Sequence, residues 1–180
     1  MSGNKKRLTI VADNVFIDID GTITDSQQDN EYLKHPDIRG NYFEGILCNM
    51  LAEKFNFSFS EALRKIREAE APCYRHDPFW ATSYCDIGIS YDEFWKEVIK
   101  WQKKHLRVFD DAVFMVKELY KRKFNLYTDS NNSSYGIQAK LTRAGLADRS
   151  GSKYFKKIYG DDFTCCSKAT HMHFEKLLSA

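Results

Sequence analysis

Asp18 and Asp20 stand one residue apart at the end of an apolar run, VFIDIDGTITD, with Gly21 and Thr22 directly after them. Two carboxylates that close repel each other unless a cation or a shared proton compensates, so the pair calls for a metal ion or for acid/base work. Two later runs also end in polar residues. Thr128 and Asp129 follow FNLY, and Asp161 and Asp162 follow KKIYG, with Lys168 just beyond. If all three runs are parallel strands joined by right-handed crossovers, these groups reach one edge of one sheet. A carboxylate nucleophile, a hydroxyl and a lysine converging there suit phosphoryl transfer, because the oxygens of the transferred group need positive or donor partners.

The elements that must position these groups follow from periodicity. The run from Val15 reads as a buried parallel strand, which puts Asp18 and Asp20 at its carboxyl end, where open α/β sheets hold their ligands. Period-two geometry gives both aspartates the same strand face, and Gly21 lets the chain turn sharply beside whatever they bind. Ahead of it, Leu8 to Val11 is a short β-prone run, either an added antiparallel strand or an entry segment.

From Gln27 to about His105 the character changes, and all three prolines, Pro36, Pro72 and Pro78, lie in this stretch. Tyr42, Ile46, Leu47, Met50, Leu51 and Phe55 recur at helical spacing. A second helix is predicted from Ser58 or Ser60 to about Ala71, with Ser58 and Glu61 spaced as a capping box, and Ser90 with Glu93 opens a third that carries Phe94, Trp95, Val98 and Trp101. The segment therefore reads as an all-helical insertion. After Phe109 the α/β alternation resumes. Asp110 is the expected N-cap of a helix through Val113, Val116, Leu119 and Tyr120, and FNLYTDS is the next strand. Ile137, Leu141 and Ala144 mark a helix closed by Gly145. KKIYGDD is a short strand, and a last helix carries Phe174, Leu177 and Leu178.

Composition excludes several classes. Lys and Arg total 27 against 25 Asp and Glu in 180 residues, a balance that argues against nucleic acid and against an anionic membrane surface. No segment approaches the roughly 20 apolar residues of a membrane span. Five cysteines make an odd, irregularly spaced set, and the amino terminus has no long apolar stretch after its basic residues, so a reduced, cytoplasmic protein is expected. Cys165, Cys166, His171 and His173 cluster near the end of the chain but meet no usual zinc spacing. Tyr74, Arg75, His76, Phe79, Trp80 and Tyr84 form either a specificity surface or the core of the insertion.

With these residues in place, the chain resembles the haloacid dehalogenase superfamily. The first motif of that family, DxDGT, is matched by Asp18, Asp20, Gly21 and Thr22. The second, a Ser or Thr at the end of the next core strand, is matched by Thr128, and the third, a lysine, by Lys168, although Ala169 stands where a proline often follows. The resemblance spans nearly the whole chain. It implies an α/β fold: a Rossmann-like three-layer core with a parallel sheet over residues 1–26 and 107–180, and a helical cap inserted at 27–106. It also implies roles. Asp18 is the nucleophile that becomes an aspartyl-phosphate, and Asp20 is the general acid/base. Magnesium binds the Asp18 carboxylate and the Asp20 backbone carbonyl. Thr128, Asp129 and Lys168 line the substrate side, with Thr128 and Lys168 on the phosphate oxygens. Dehalogenases of the family lack the second aspartate, so Asp20 points to a magnesium-dependent phosphatase of a small phosphorylated metabolite, or less often to a phosphomutase.

One departure is serious. The family's fourth motif, one or two aspartates completing the magnesium site from a further strand, should follow the final helix, yet the sequence ends at Ala180. Asp161 and Asp162 precede Lys168, the wrong order, and are read as the loop before the lysine. The expectation is either a truncated form of a longer protein or a naturally short form, with the C-terminal core strands missing. The sheet would then have three parallel strands with the Asp18 strand at an edge, to be covered by Leu8 to Val11 or by a second copy in a homodimer. A catalytically weak or inactive protein that acts by binding or assembly is the alternative this leaves open.

Overall fold

The computed structural model describes residues 13–25, 42–70, 87–165 and 168–179. The chain begins with β1 (Asn14–Ile17) and β2 (Thr24–Asp25), continues through α1 (Tyr42–Phe55), α2 (Phe59–Glu70) and α3 (Tyr91–His105), and returns by β3 (Arg107–Val108). Then follow α4 (Asp110–Lys121), β4 (Asn125–Thr128), α5 (Ser134–Arg143), β5 (Phe155–Lys157), α6 (Asp161–Thr164) and α7 (His171–Leu178). The expected strand at Leu8 to Val11 and the aromatic group from Tyr74 to Tyr84 lie outside the described residues.

The main sheet is parallel, in the order β1-β4-β5, so β1 is an edge strand among the described residues. Asn14 to Ile17 run in register with Asn125 to Thr128, and β4 pairs onward with β5 through an irregularity at Leu126 and Tyr127. All three strand ends therefore point the same way, as the fold class requires. This is an α/β, Rossmann-like arrangement. One element escaped the sequence: β2 and β3 form a two-stranded antiparallel pair, Thr24 opposite Val108. Two residues each are too short to leave a periodic signal.

Two apolar clusters hold the molecule together. Ile17, Ile19, Ile23, Val116, Leu126, Ile137, Leu141 and Phe155 fill the space between the sheet and α4 and α5. Ile46, Leu47, Leu51, Ile66, Phe94 and Val98 pack α1, α2 and α3 together, and Tyr135 and Ala139 of α5 join them. Fully burying a side chain the size of Phe94 contributes roughly 1.5–3 kcal/mol. Helix α5 is thus apolar on two sides. Ile137 and Leu141 face the sheet, while Tyr135 and Ala139 face the three-helix layer, where Tyr135 stacks on Phe94.

Helix termini largely follow local chemistry. At α3 both halves of the Ser90 and Glu93 box form: Glu93 N–H donates to the Ser90 hydroxyl at 3.2 Å and Ser90 N–H donates to Glu93 Oε2 at 2.8 Å. That backbone donor, with the Ser90 hydroxyl and Lys54, draws Glu93 down from its ordinary 4.5 to about 2. A lowered carboxylate stabilises the fold above its unfolded value and loses that effect as pH falls through its folded one. The stability difference between the wild type and Glu93→Gln is therefore expected to be full above about pH 4.5 and to shrink steadily towards pH 2, as read by thermal melts across that range. At α4 the expected cap shifts by one residue. Phe109 is the N-cap and Asp110 the first helical residue, because Phe109 donates its N–H to Ile23 O at 3.0 Å and so extends the β2–β3 pairing. Of the three apolar residues predicted for α7 only Leu177 is buried, with His173 beside it, while Phe174 and Leu178 are exposed.

Candidate active site

Hydrogen bonding in β1 ends at Ile17, but its alternation carries on: Ile17 and Ile19 are buried while Asp18 and Asp20 face outward. Ile19 O then closes the turn by accepting from Ile23 N at 2.9 Å and Thr24 N at 3.0 Å. Gly21, at φ +76°, takes the left-handed conformation this turn needs, one that a side chain would strain. The two aspartates thus share a side, as their spacing implies. They do not share a cation.

Asp18 meets Lys168, whose Nζ lies 3.1 Å from Asp18 Oδ1. Lys168 is held in place by three further interactions. Its Nζ donates to Asp129 O at 2.9 Å and stands 3.6 Å from Asp129 Oδ2, while its backbone N–H donates to Asn131 Oδ1 at 2.9 Å. Asp129 is fixed in turn from behind, its Oδ1 at 2.6 Å from Nε2 of the buried His173. A line of side chains, His173 to Asp129 to Lys168 to Asp18, therefore runs from the interior to the strand end. Asp129, expected on the substrate side, instead orients the lysine that faces Asp18.

Asp20 goes the other way. Lys140 Nζ donates to Asp20 Oδ1 at 2.5 Å, and Asn132 Nδ2 donates to Oδ2. The side chains of Asp18 and Asp20 remain 42% and 39% exposed, so both stay open to solvent despite their partners. Tyr42 of α1 lies close by: burial, opposed by a hydrogen bond from Gln102 and aided by the nearby Asp20 charge, pushes its phenol up.

Thr128 is the residue that geometry treats differently from expectation. Its hydroxyl is buried at the end of β4, donating to O of Tyr159, just past β5, at 2.9 Å and accepting from Tyr159 N at 2.7 Å. Both capacities go to that backbone, so Thr128 sits behind the site and joins β4 to the chain just past β5. Thr128→Val leaves both Tyr159 groups without that partner and is expected to cost about 1–3 kcal/mol of stability, measured by chemical denaturation, with Thr128→Ser largely retaining it. Asp162 is likewise structural. It accepts from Ser134 N at 2.8 Å and from the Ser134 hydroxyl at 2.6 Å, anchoring the start of α5 to the loop before Lys168. Gly160 makes that approach feasible, since a Cβ there would lie 2.4 Å from Asn132 O.

Lys140, Asn132, Asn131 and His173 went unnoticed in the sequence as site residues. Lys140 did leave a trace, as a lysine set between the two apolar stripes of α5. His173 bonds the Asp129 carboxylate.

Among the described residues no group of three or more His, Cys, Asp and Glu side chains is arranged to hold a metal ion. Magnesium is a hard cation commonly held by one or two carboxylates plus substrate phosphate and water. Asp18 offers such a carboxylate. Among the described residues, no helix is long and apolar enough to cross a membrane.

No family model and no curated protein matches the chain. Among solved structures, it is similar to a HAD phosphatase from Thermococcus onnurineus at 22% identity and a TM-score of 0.45, covering 92% of this chain and 71% of that one. It is also similar to the HAD-hydrolase YfnB of Bacillus subtilis, a structure bound to magnesium, at 16% identity and a TM-score of 0.44, covering 93% of this chain and 73% of that one.

Proposed function

We propose that the chain is a magnesium-dependent phosphatase of the haloacid dehalogenase kind, acting on a small phosphorylated metabolite through an aspartyl-phosphate on Asp18. The observation that carries this reading is the meeting of Asp18 with Lys168 at 3.1 Å, at the carboxyl end of a parallel sheet. A nucleophilic carboxylate beside a fixed ammonium suits attack on phosphorus: the lysine draws in the phosphoryl oxygens and offsets the repulsion between two anions.

In the first step an Asp18 oxygen bonds to phosphorus while the ester P–O bond breaks, and Asp20, having taken up a proton from solvent, passes it to the departing alkoxide. In the second, Asp20 takes a proton from water, the resulting hydroxide attacks phosphorus, and the bond to Asp18 breaks to release inorganic phosphate. Asp129 and His173 keep Lys168 aimed throughout. Magnesium, held by the Asp18 carboxylate and the Asp20 backbone carbonyl, would supply positive charge to the phosphate oxygens.

A panel of phosphomonoesters assayed for phosphate release with and without magnesium tests this reading. Magnesium-dependent release supports it, and no release across the panel overturns it. Recovery of an isomeric phosphate ester in place of free phosphate would mark a phosphomutase. A second reading, in which a second copy pairs with β1 and the protein works by assembly, is favoured by the position of β1 at the sheet edge among the described residues. Concentration-dependent sedimentation distinguishes it.

A further inference from the structure

Lys140 is 3% exposed, on a helix whose two other buried stripes are apolar. Taking an ammonium out of water to that extent is costly unless it is paired. Its partner is Asp20, the group assigned the proton transfers, and Asn132 completes the hold by donating to the second carboxylate oxygen. Both donors come from α5 and the loop that opens it, so the acid/base group is anchored by the element that follows β4. Asp18, by contrast, is paired with Lys168 from the far end of the chain. Each carboxylate therefore has its own cation.

We propose that Lys140 is a positioning residue for the reaction: it fixes the Asp20 carboxylate apart from the Asp18 and Lys168 pair, where it meets the leaving oxygen rather than the phosphoryl group. This rests on the phosphatase reading. Without Lys140, only Asn132 still holds the Asp20 carboxylate.

The test compares two esters on the full chain. p-Nitrophenyl phosphate has a leaving group that departs without protonation, whereas glycerol phosphate needs a proton from Asp20. Lys140→Met is expected to lower kcat on glycerol phosphate by about a hundredfold, the scale of a lost general acid, and on p-nitrophenyl phosphate by less than about a third of that loss, with KM little changed on either. Equal losses on both esters, or no loss on glycerol phosphate, overturn the inference alone. A wild type that hydrolyses neither these esters nor any other of the panel overturns the phosphatase reading and the inference with it. A thermal-unfolding cycle reads the pairing without turnover. Asp20→Asn strands a buried ammonium and should lower Tm, and adding Lys140→Met should restore most of it; additive losses would overturn the pairing.

Discussion

Asp18→Asn is expected to abolish phosphate release, by at least about a thousandfold in kcat, the scale on which removing a catalytic nucleophile acts. The asparagine keeps the shape of the side chain and its place after Ile17, so the protein should fold and melt close to the wild type. What is lost is the oxygen that bonds to phosphorus. Trapping makes the assignment specific: hydroxylamine added during turnover should capture an acyl-phosphate from the wild type and none from the variant. A variant that still releases phosphate at a comparable rate would show that Asp18 is not the nucleophile.

Lys168→Met should follow in size, with a loss of about a hundred- to a thousandfold, the range seen when one preorganised donor to a developing negative charge is removed. Two consequences arise from one ammonium. Asp18 loses the group 3.1 Å from its Oδ1, and the phosphoryl oxygens lose their fixed positive partner. Because that charge is needed most as the oxygens crowd the transition state, kcat should fall more than KM rises. Lys168→Arg should recover little. The site holds the ammonium through the Asp129 carbonyl at 2.9 Å, and a broader planar fork does not fit a contact made for a compact charge. Steady-state kinetics on any ester the wild type accepts reads both variants.

Much of the helical layer was legible in advance because its signals are local. Tyr42 to Phe55 repeats at helical spacing, and Ser90 with Glu93 forms a capping box within four residues. The parallel sheet was legible for the same reason: apolar runs ending in polar residues mark strands whose ends gather at one edge. Small antiparallel pairings were not. The bond from Phe109 N–H to Ile23 O joins residues far apart in the chain, and that long-range bond moved the start of α4 by one residue.

Within the site, the sequence by itself determined that Asp18, Asp20 and Lys168 gather at one sheet edge. Asp18 and Asp20 follow one strand, and Lys168 follows the loop after another, so topology alone brings them to a common edge. Only the tertiary structure decided which group faces which. Thr128 ends β4 where a phosphate ligand was expected, yet its hydroxyl turns inward to Tyr159 because a buried hydroxyl must find partners and the backbone just past β5 supplies both. The two aspartates looked like a pair in need of one cation, and they found two lysines from different elements. Periodicity says which way a residue points from its own strand. It carries no record of the buried ammonium arriving from a helix more than a hundred residues later in the chain, and it is the need of that charge for a counter-charge, once desolvated, that settles the orientation of Asp20.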